Sequence, residues 1–179
     1  MMSKRAHSDF VIPVKELLHQ PGEMREITLE TVAPEKYGEA MAVVAQGSPL
    51  RIELRLEGLH EGILASGEIT ASARAECVRC LDVFDLELQV DFQELFAYSS
   101  TEADSYLVAH DALDLEDIIR DAVVLDLPFQ PVCKETCFGL DPVTGEKRTS
   151  APVSLDAEEI DPRWQELSKL LESDSPEAS

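Results

Sequence analysis

Leu50-Arg51-Ile52-Glu53-Leu54-Arg55-Leu56-Glu57 alternates aliphatic and charged side chains without a break. Successive side chains of a strand point to opposite faces, so this stretch puts Leu50, Ile52, Leu54 and Leu56 on one face and every charge on the other; a helical repeat would scatter both sets. The same period returns downstream, where Phe84, Leu86, Leu88, Val90 and Phe92 alternate with Asp85, Glu87, Gln89, Asp91 and Gln93. Between the two, Gly62 to Cys77 keeps the period through Ile63, Ala65, Gly67, Ile69, Ala71, Ala73 and Ala75. Small side chains on that face predict close approach by another layer. Short connections favour antiparallel neighbours, so the three strands read as a meander.

Upstream, Met24 to Thr31 alternates weakly through Ile27 and Leu29 and reads as a further strand. Phe10 to Leu18 is expected to be extended around Pro13, with one helical turn at most, and Pro21-Gly22 marks a turn. Downstream, Thr101 to His110 reads as an acidic loop ending in an extended piece at Tyr106 to Val108. A helix should follow with Asp114 as N-cap, Glu116 and Asp117 in its first turn, and Leu115, Ile118, Ile119 and Ala122 at helical spacing. Pro128 and Pro131 stop it at about Leu127. A second helix is predicted from Pro162, capped by Asp161, with Trp164, Leu167, Leu170 and Leu171 as its apolar stripe. That stripe reads as a docked terminal helix, with partner binding as the alternative. The expected fold class is α+β: a mainly antiparallel sheet able to curl toward a barrel, two helices, and a clasp of paired cysteines, in one domain over residues 10–172 with flexible termini at 1–9 and 173–179.

The 179 residues carry a formal charge of −21 and a pI near 4.3. That balance argues against the whole surface gripping nucleic acid, because such binding is driven by Lys and Arg displacing counterions from phosphate. No run approaches the roughly 20 apolar residues that cross a bilayer, and Met1 to Asp9 lacks the apolar core of a signal peptide, so a cytoplasmic protein is expected.

All four cysteines fall in two close pairs, Cys77-Val78-Arg79-Cys80 and Cys133-Lys134-Glu135-Thr136-Cys137. Two short knuckles from distant parts of a chain can supply the four soft ligands of a tetrahedral zinc site. Free thiols and redox or disulfide chemistry remain as alternatives, although a reducing compartment disfavours disulfides and a redox Cys-x-x-Cys prefers a helix N-terminus. A catalytic zinc is disfavoured because four thiolates leave no position for water. Gly139 permits a tight turn after the second pair. The histidines, His7, His19, His60 and His110, are scattered, and no Gly-rich phosphate loop or activated serine appears. Arg74, Arg79 and Lys134 would gather near a joined pair of knuckles, where they could touch RNA phosphate or simply balance nearby negative charge.

At these residues the chain resembles the YceD-like family, the large ribosomal RNA subunit accumulation proteins. The resemblance is carried by Val14-Lys15-Glu16-Leu17-Leu18 leading to Pro21-Gly22-Glu23, by Cys77-Val78-Arg79-Cys80-Leu81, and by the acidic helix leading through Leu127-Pro128 to Pro131-Val132-Cys133 and Cys137-Phe138-Gly139-Leu140. The Asp161-Pro162-Arg163-Trp164 segment extends it toward the C-terminus. It implies a non-enzymatic protein needed for accumulation of 23S ribosomal RNA. It also implies further cysteines after the Gly-Leu step, where this chain has Asp141 and Thr144. The function expected on all these grounds is binding: an accessory protein of large-subunit biogenesis that engages a basic protein partner on an RNA-protein particle, with structural zinc on Cys77, Cys80, Cys133 and Cys137. A thiol-based redox protein using Cys77 and Cys80, and a direct RNA-binding module, are the alternatives.

Overall fold

The structure, a computed structural model, describes residues 9–39, 41–99 and 106–150. The chain divides into two compact units, Met1–Cys137 and Phe138–Ser179. In the first, three long strands, β4 (Pro49–Gly58), β5 (Gly62–Glu76) and β6 (Val83–Ala97), form the expected meander, preceded by β2 (Met24–Val32) on the outer side of β4. Short strands complete the set: β1 (Val11–Pro13), β3 (Ala42–Val43), β7 (Tyr106–Leu107) and β8 (Ala112–Asp114). The main sheet runs β2-β4-β5-β6-β7, with β3 pairing β5 beyond the end of β4, and β1 and β8 make a separate antiparallel ribbon.

Period two decides which side is core. Leu50, Ile52, Leu54 and Leu56 are buried, while Arg51, Glu53 and Arg55 between them are exposed. Ile69, Ala71 and Ala73 of β5 and Leu88, Val90 and Phe92 of β6 continue the same buried face, and the register pairs Ile52 with Ile69 and Ile69 with Val90. Gly67 lies on this face where β5 needs a close approach: a Cβ there would stand 3.1 Å from the Phe92 ring and run into the Glu53 carbonyl.

The sheet does not close into a barrel. Among the described residues β2 pairs only with β4, and β7 is two residues long and runs parallel to β6, so no ladder joins the two ends of the sheet. The core is covered instead by helix α1 (Glu116–Asp126) and by Phe10, Ile12, Val14, Leu113 and Leu115 on and around the β1–β8 ribbon, all in one apolar cluster with the sheet. One helix, not two, is found among the described residues; the segment expected to form the other, from Pro162, lies outside them. Its N-cap is Leu115 rather than Asp114, because Asp114 is held opposite Val11 as the last residue of β8. The Asp114 carboxylate still accepts the Glu116 N–H at 3.2 Å, and the freed cap position is used to bury Leu115 fully. No helix among the described residues is long and apolar enough to cross a membrane.

The face assignment predicts a sharp contrast. Ile69→Ala should lower folding stability by about 2–5 kcal/mol through lost burial and a residual cavity, whereas Arg51→Ala on the opposite face should change it by less than about 0.5 kcal/mol. Urea unfolding followed by circular dichroism checks both; equal effects would contradict the assignment.

Candidate metal centre

The turn from β5 to β6 is built around sulfur. Cys77 donates its N–H to the Asp82 carbonyl at 2.8 Å, and Leu81 N–H returns to the Cys77 carbonyl at 2.8 Å. Closing so tightly puts Leu81 at φ 61°, a left-handed backbone that L residues seldom adopt. The reward is orientation of donors: the backbone N–H groups of Cys80 and Arg79 point at the Cys77 sulfur, and that of Asp82 points at Cys80.

The second knuckle arrives from the helix. Leu127 leaves α1 in an extended conformation before Pro128, and the Pro131 carbonyl accepts the Val78 N–H at 3.0 Å, which lays this segment against the first knuckle. Cys137 N–H then closes on the Lys134 carbonyl at 3.0 Å, curling Cys133 and Cys137 toward the same point. The Cys133 N–H joins the donors on Cys77. Arg79 fastens the pair, its guanidinium donating to the carbonyls of Cys137 at 3.0 Å and Glu135 at 3.3 Å.

All four sulfurs consequently lie within 4.8 Å of one another, with Cys77 to Cys137 at 3.9 Å and Cys80 to Cys133 at 3.7 Å. The cysteines are free thiols; Cys77, Cys80 and Cys137 are buried and Cys133 is half-buried. The donor set fits a soft divalent cation: zinc–sulfur bonds of about 2.3 Å in a tetrahedron give sulfur separations of about 3.8 Å.

Electrostatics at the centre follow from crowding. Burial raises the Cys77 thiol, but the N–H groups of Cys133, Cys80 and Arg79 and the Cys80 side chain outweigh it and bring it down to about 6. The Asp82 N–H lowers the Cys80 thiol, but burial and the sulfurs of Cys77, Cys137 and Cys133 outweigh that and push it up to about 12. Burial, with Cys77 and Cys137, also raises Cys133. Cys77 thus readily carries a negative charge, while Cys80 and Cys133 resist one unless a cation enters.

The other sequence candidates separate. Arg79 serves as the latch described above, and Lys134 stands exposed beside it in the second knuckle. Arg74 belongs to the exposed face of β5, opposite Asp85 of β6 in the register. His19 packs its ring on Tyr98 at 4.3 Å and belongs to no ligand cluster among the described residues. In the second unit, Asp141 and Thr144 form part of a small hairpin bridged by Leu140 and Lys147. The Asp141 carboxylate accepts N–H groups of Thr144 at 3.0 Å and Val143 at 2.9 Å and the Arg148 guanidinium at 3.3 Å, and these donors hold its carboxyl below the usual range. Gly139 turns this chain at φ 79°, as its position suggested. Val78, Pro131 and Leu81 are the contributors that residue type alone does not reveal, because each acts through its backbone.

Comparison with known proteins gives a consistent family. A family model described as large ribosomal RNA subunit accumulation protein YceD matches residues 65–171. An uncharacterised protein of Mycobacterium tuberculosis is 36% identical over 175 residues, covering 94% of this chain and 84% of its own. One of Mycobacterium leprae is 34% identical over 181 residues, covering 96% and 82%. The uncharacterised protein YlbN of Bacillus subtilis is 24% identical over 150 residues, covering 81% and 87%. No solved structure matches.

In metal-free reduced protein, the thiolate absorbance should rise by about one thiolate per chain with a midpoint near pH 6, and Cys77→Ser should abolish that step. Between that value and the ordinary thiol range near pH 9, the folded chain holds a thiolate where the unfolded chain holds a thiol, so this contribution to stability grows as pH rises and is lost as pH falls through about 6. Four thiols titrating together in the ordinary range would contradict the donor arrangement.

Proposed function

The chain belongs to the YceD family of large ribosomal RNA subunit accumulation proteins, and on that premise we propose that it is a non-enzymatic accessory factor for 23S ribosomal RNA accumulation and large-subunit biogenesis. One structural zinc ion on Cys77, Cys80, Cys133 and Cys137 completes its fold. The observation that carries the zinc assignment is the set of four sulfurs within 4.8 Å of one another, two pairs of them at 3.9 and 3.7 Å, with backbone N–H groups already aimed at Cys77. Such donors favour a thiolate over a thiol, and four thiolates take up zinc without leaving a position for water. The ion therefore binds for stability.

The chain works in the cytoplasm, at an RNA-protein particle, and reaches it through a basic protein. A formal charge of −21 attracts cationic surfaces and repels bare phosphate. A second reading has a specific observation in its favour: the lowered Cys77 thiol in contact with Cys80 would also suit a thiol redox protein using that pair. The two readings separate on metal. Direct RNA contact through Arg74, Arg79 and Lys134 is less well supported, since Arg79 is engaged by the second knuckle.

Protein purified under reducing conditions should contain about one zinc per chain by elemental analysis. Each single Cys→Ser variant at the four positions should lose the metal and melt about 10 °C lower. Cells lacking the protein should show reduced 23S relative to 16S ribosomal RNA, restored by the natural chain. Metal-free protein of unchanged stability would overturn the zinc assignment and favour redox chemistry; unchanged ribosomal RNA would overturn the biogenesis role.

A further inference from the structure

We propose that the groove between the free edge of β6 and helix α1 is a docking site for an extended, lysine- or arginine-rich segment of a partner protein, which joins the sheet as an added strand. The inference rests on the reading that the chain engages a basic protein, and it gives that engagement a place.

Three features converge there. First, β5 covers one side of β6 from Val83 to Ala97, but on the other side β7 pairs only with Phe96 and Ala97. Among the described residues, the outer edge of β6 up to Leu95 therefore has no strand partner, and unpaired strand edges are templates for an incoming main chain. Second, α1 faces Val90–Glu94 across a groove of about 420 Å³. It brings Leu125 to that groove 83% exposed, an apolar side chain that contributes little to the core on its own helix.

Third, the groove is acidic. Among the described residues Asp91, Glu94, Asp121 and Asp126 line it, and no lysine or arginine does. Arg120 reaches Asp121 at 3.0 Å but also serves Asp117 and Glu35, so it offsets one charge at most. Glu94 is especially informative. It pairs in register with buried Ala65, on the core-facing side of β6 with Val90 and Phe92, a position where an apolar residue would otherwise be expected. The carboxylates also act on Tyr106 in the groove, whose phenol is raised first by burial and then by Asp121, Glu94 and Asp117.

The occupant follows from these features. The open edge selects an extended main chain, Leu125 offers an apolar contact between side chains, and the carboxylates select cations. Two copies of this edge would set carboxylate against carboxylate, which disfavours self-pairing, and RNA phosphate meets the same repulsion.

The test uses a fluorescent peptide of alternating lysine and valine, and a copy N-methylated along its backbone, titrated into the full chain by anisotropy and mapped by amide hydrogen exchange. The unmethylated peptide should bind at low ionic strength and protect amides within Val90–Glu94. Leu125→Lys, a change at an exposed side chain, should weaken binding by about tenfold, and the methylated copy should not bind. Absence of binding, equal binding by the variant, or protection confined to the β2 edge at Met24–Val32 would overturn the proposal. Sedimentation with large-subunit particles distinguishes the two levels. If the natural chain and Leu125→Lys sediment equally with the particle, the groove assignment fails and the functional reading stands. If the peptide fills the groove as expected but the chain never sediments with the particle, the functional reading fails and the groove stands.

Discussion

Four sulfurs within 4.8 Å of one another cannot all be thiolates without a cation among them. The structure meets this constraint halfway: backbone N–H groups stabilise one charge on Cys77, while burial and the sulfurs of Cys77 and Cys137 raise the thiols of Cys80 and Cys133. Everything that brings the sulfurs together is therefore also a device for concentrating charge. The meander sets the first knuckle at a sheet end, the helix delivers the second, and the Val78–Pro131 and Arg79–Cys137 hydrogen bonds lock them in place. A divalent cation bound there would convert this crowding from a cost into a tie between sheet and post-helical segment.

The surface follows a different logic. On the outer face of the sheet Glu53, Glu68 and Asp91 stand directly opposite one another across three strands, and like charges so placed are destabilising by a few tenths of a kcal/mol or about 1 kcal/mol each. A core of buried aliphatics on the other face tolerates that expense. Acidic residues thus dominate both the exposed face and the groove beside α1, which gives the negative charge a spatial arrangement as well as a total.

Sequence periodicity was most informative where one repeat extends through a long element. β4, β5 and β6 appear as expected because their alternation spans many residues, and β6 runs past Gln93 through Leu95, Phe96 and Ala97, where strict alternation stops. β3 has two residues, too few to display a period, and Tyr37, fully buried beside it, gives no sign of its place in the sequence alone. The helix begin shifted by one residue because Asp114 has a second use in the β1–β8 ribbon, a tertiary demand that overrides capping preference. At the cysteine cluster the gathering of Cys77, Cys80, Cys133 and Cys137 was legible from their pairing. Their fastening was not, because Arg79 acts on carbonyls 56 and 58 residues away in the chain.

X-ray absorption at the zinc edge of the reduced, zinc-loaded chain tests the four-cysteine centre most directly. The arrangement of Cys77, Cys80, Cys133 and Cys137 predicts four sulfur neighbours at about 2.3 Å and no oxygen or nitrogen in the coordination shell. A shell of nitrogen or oxygen, or one with only two sulfurs, would contradict it.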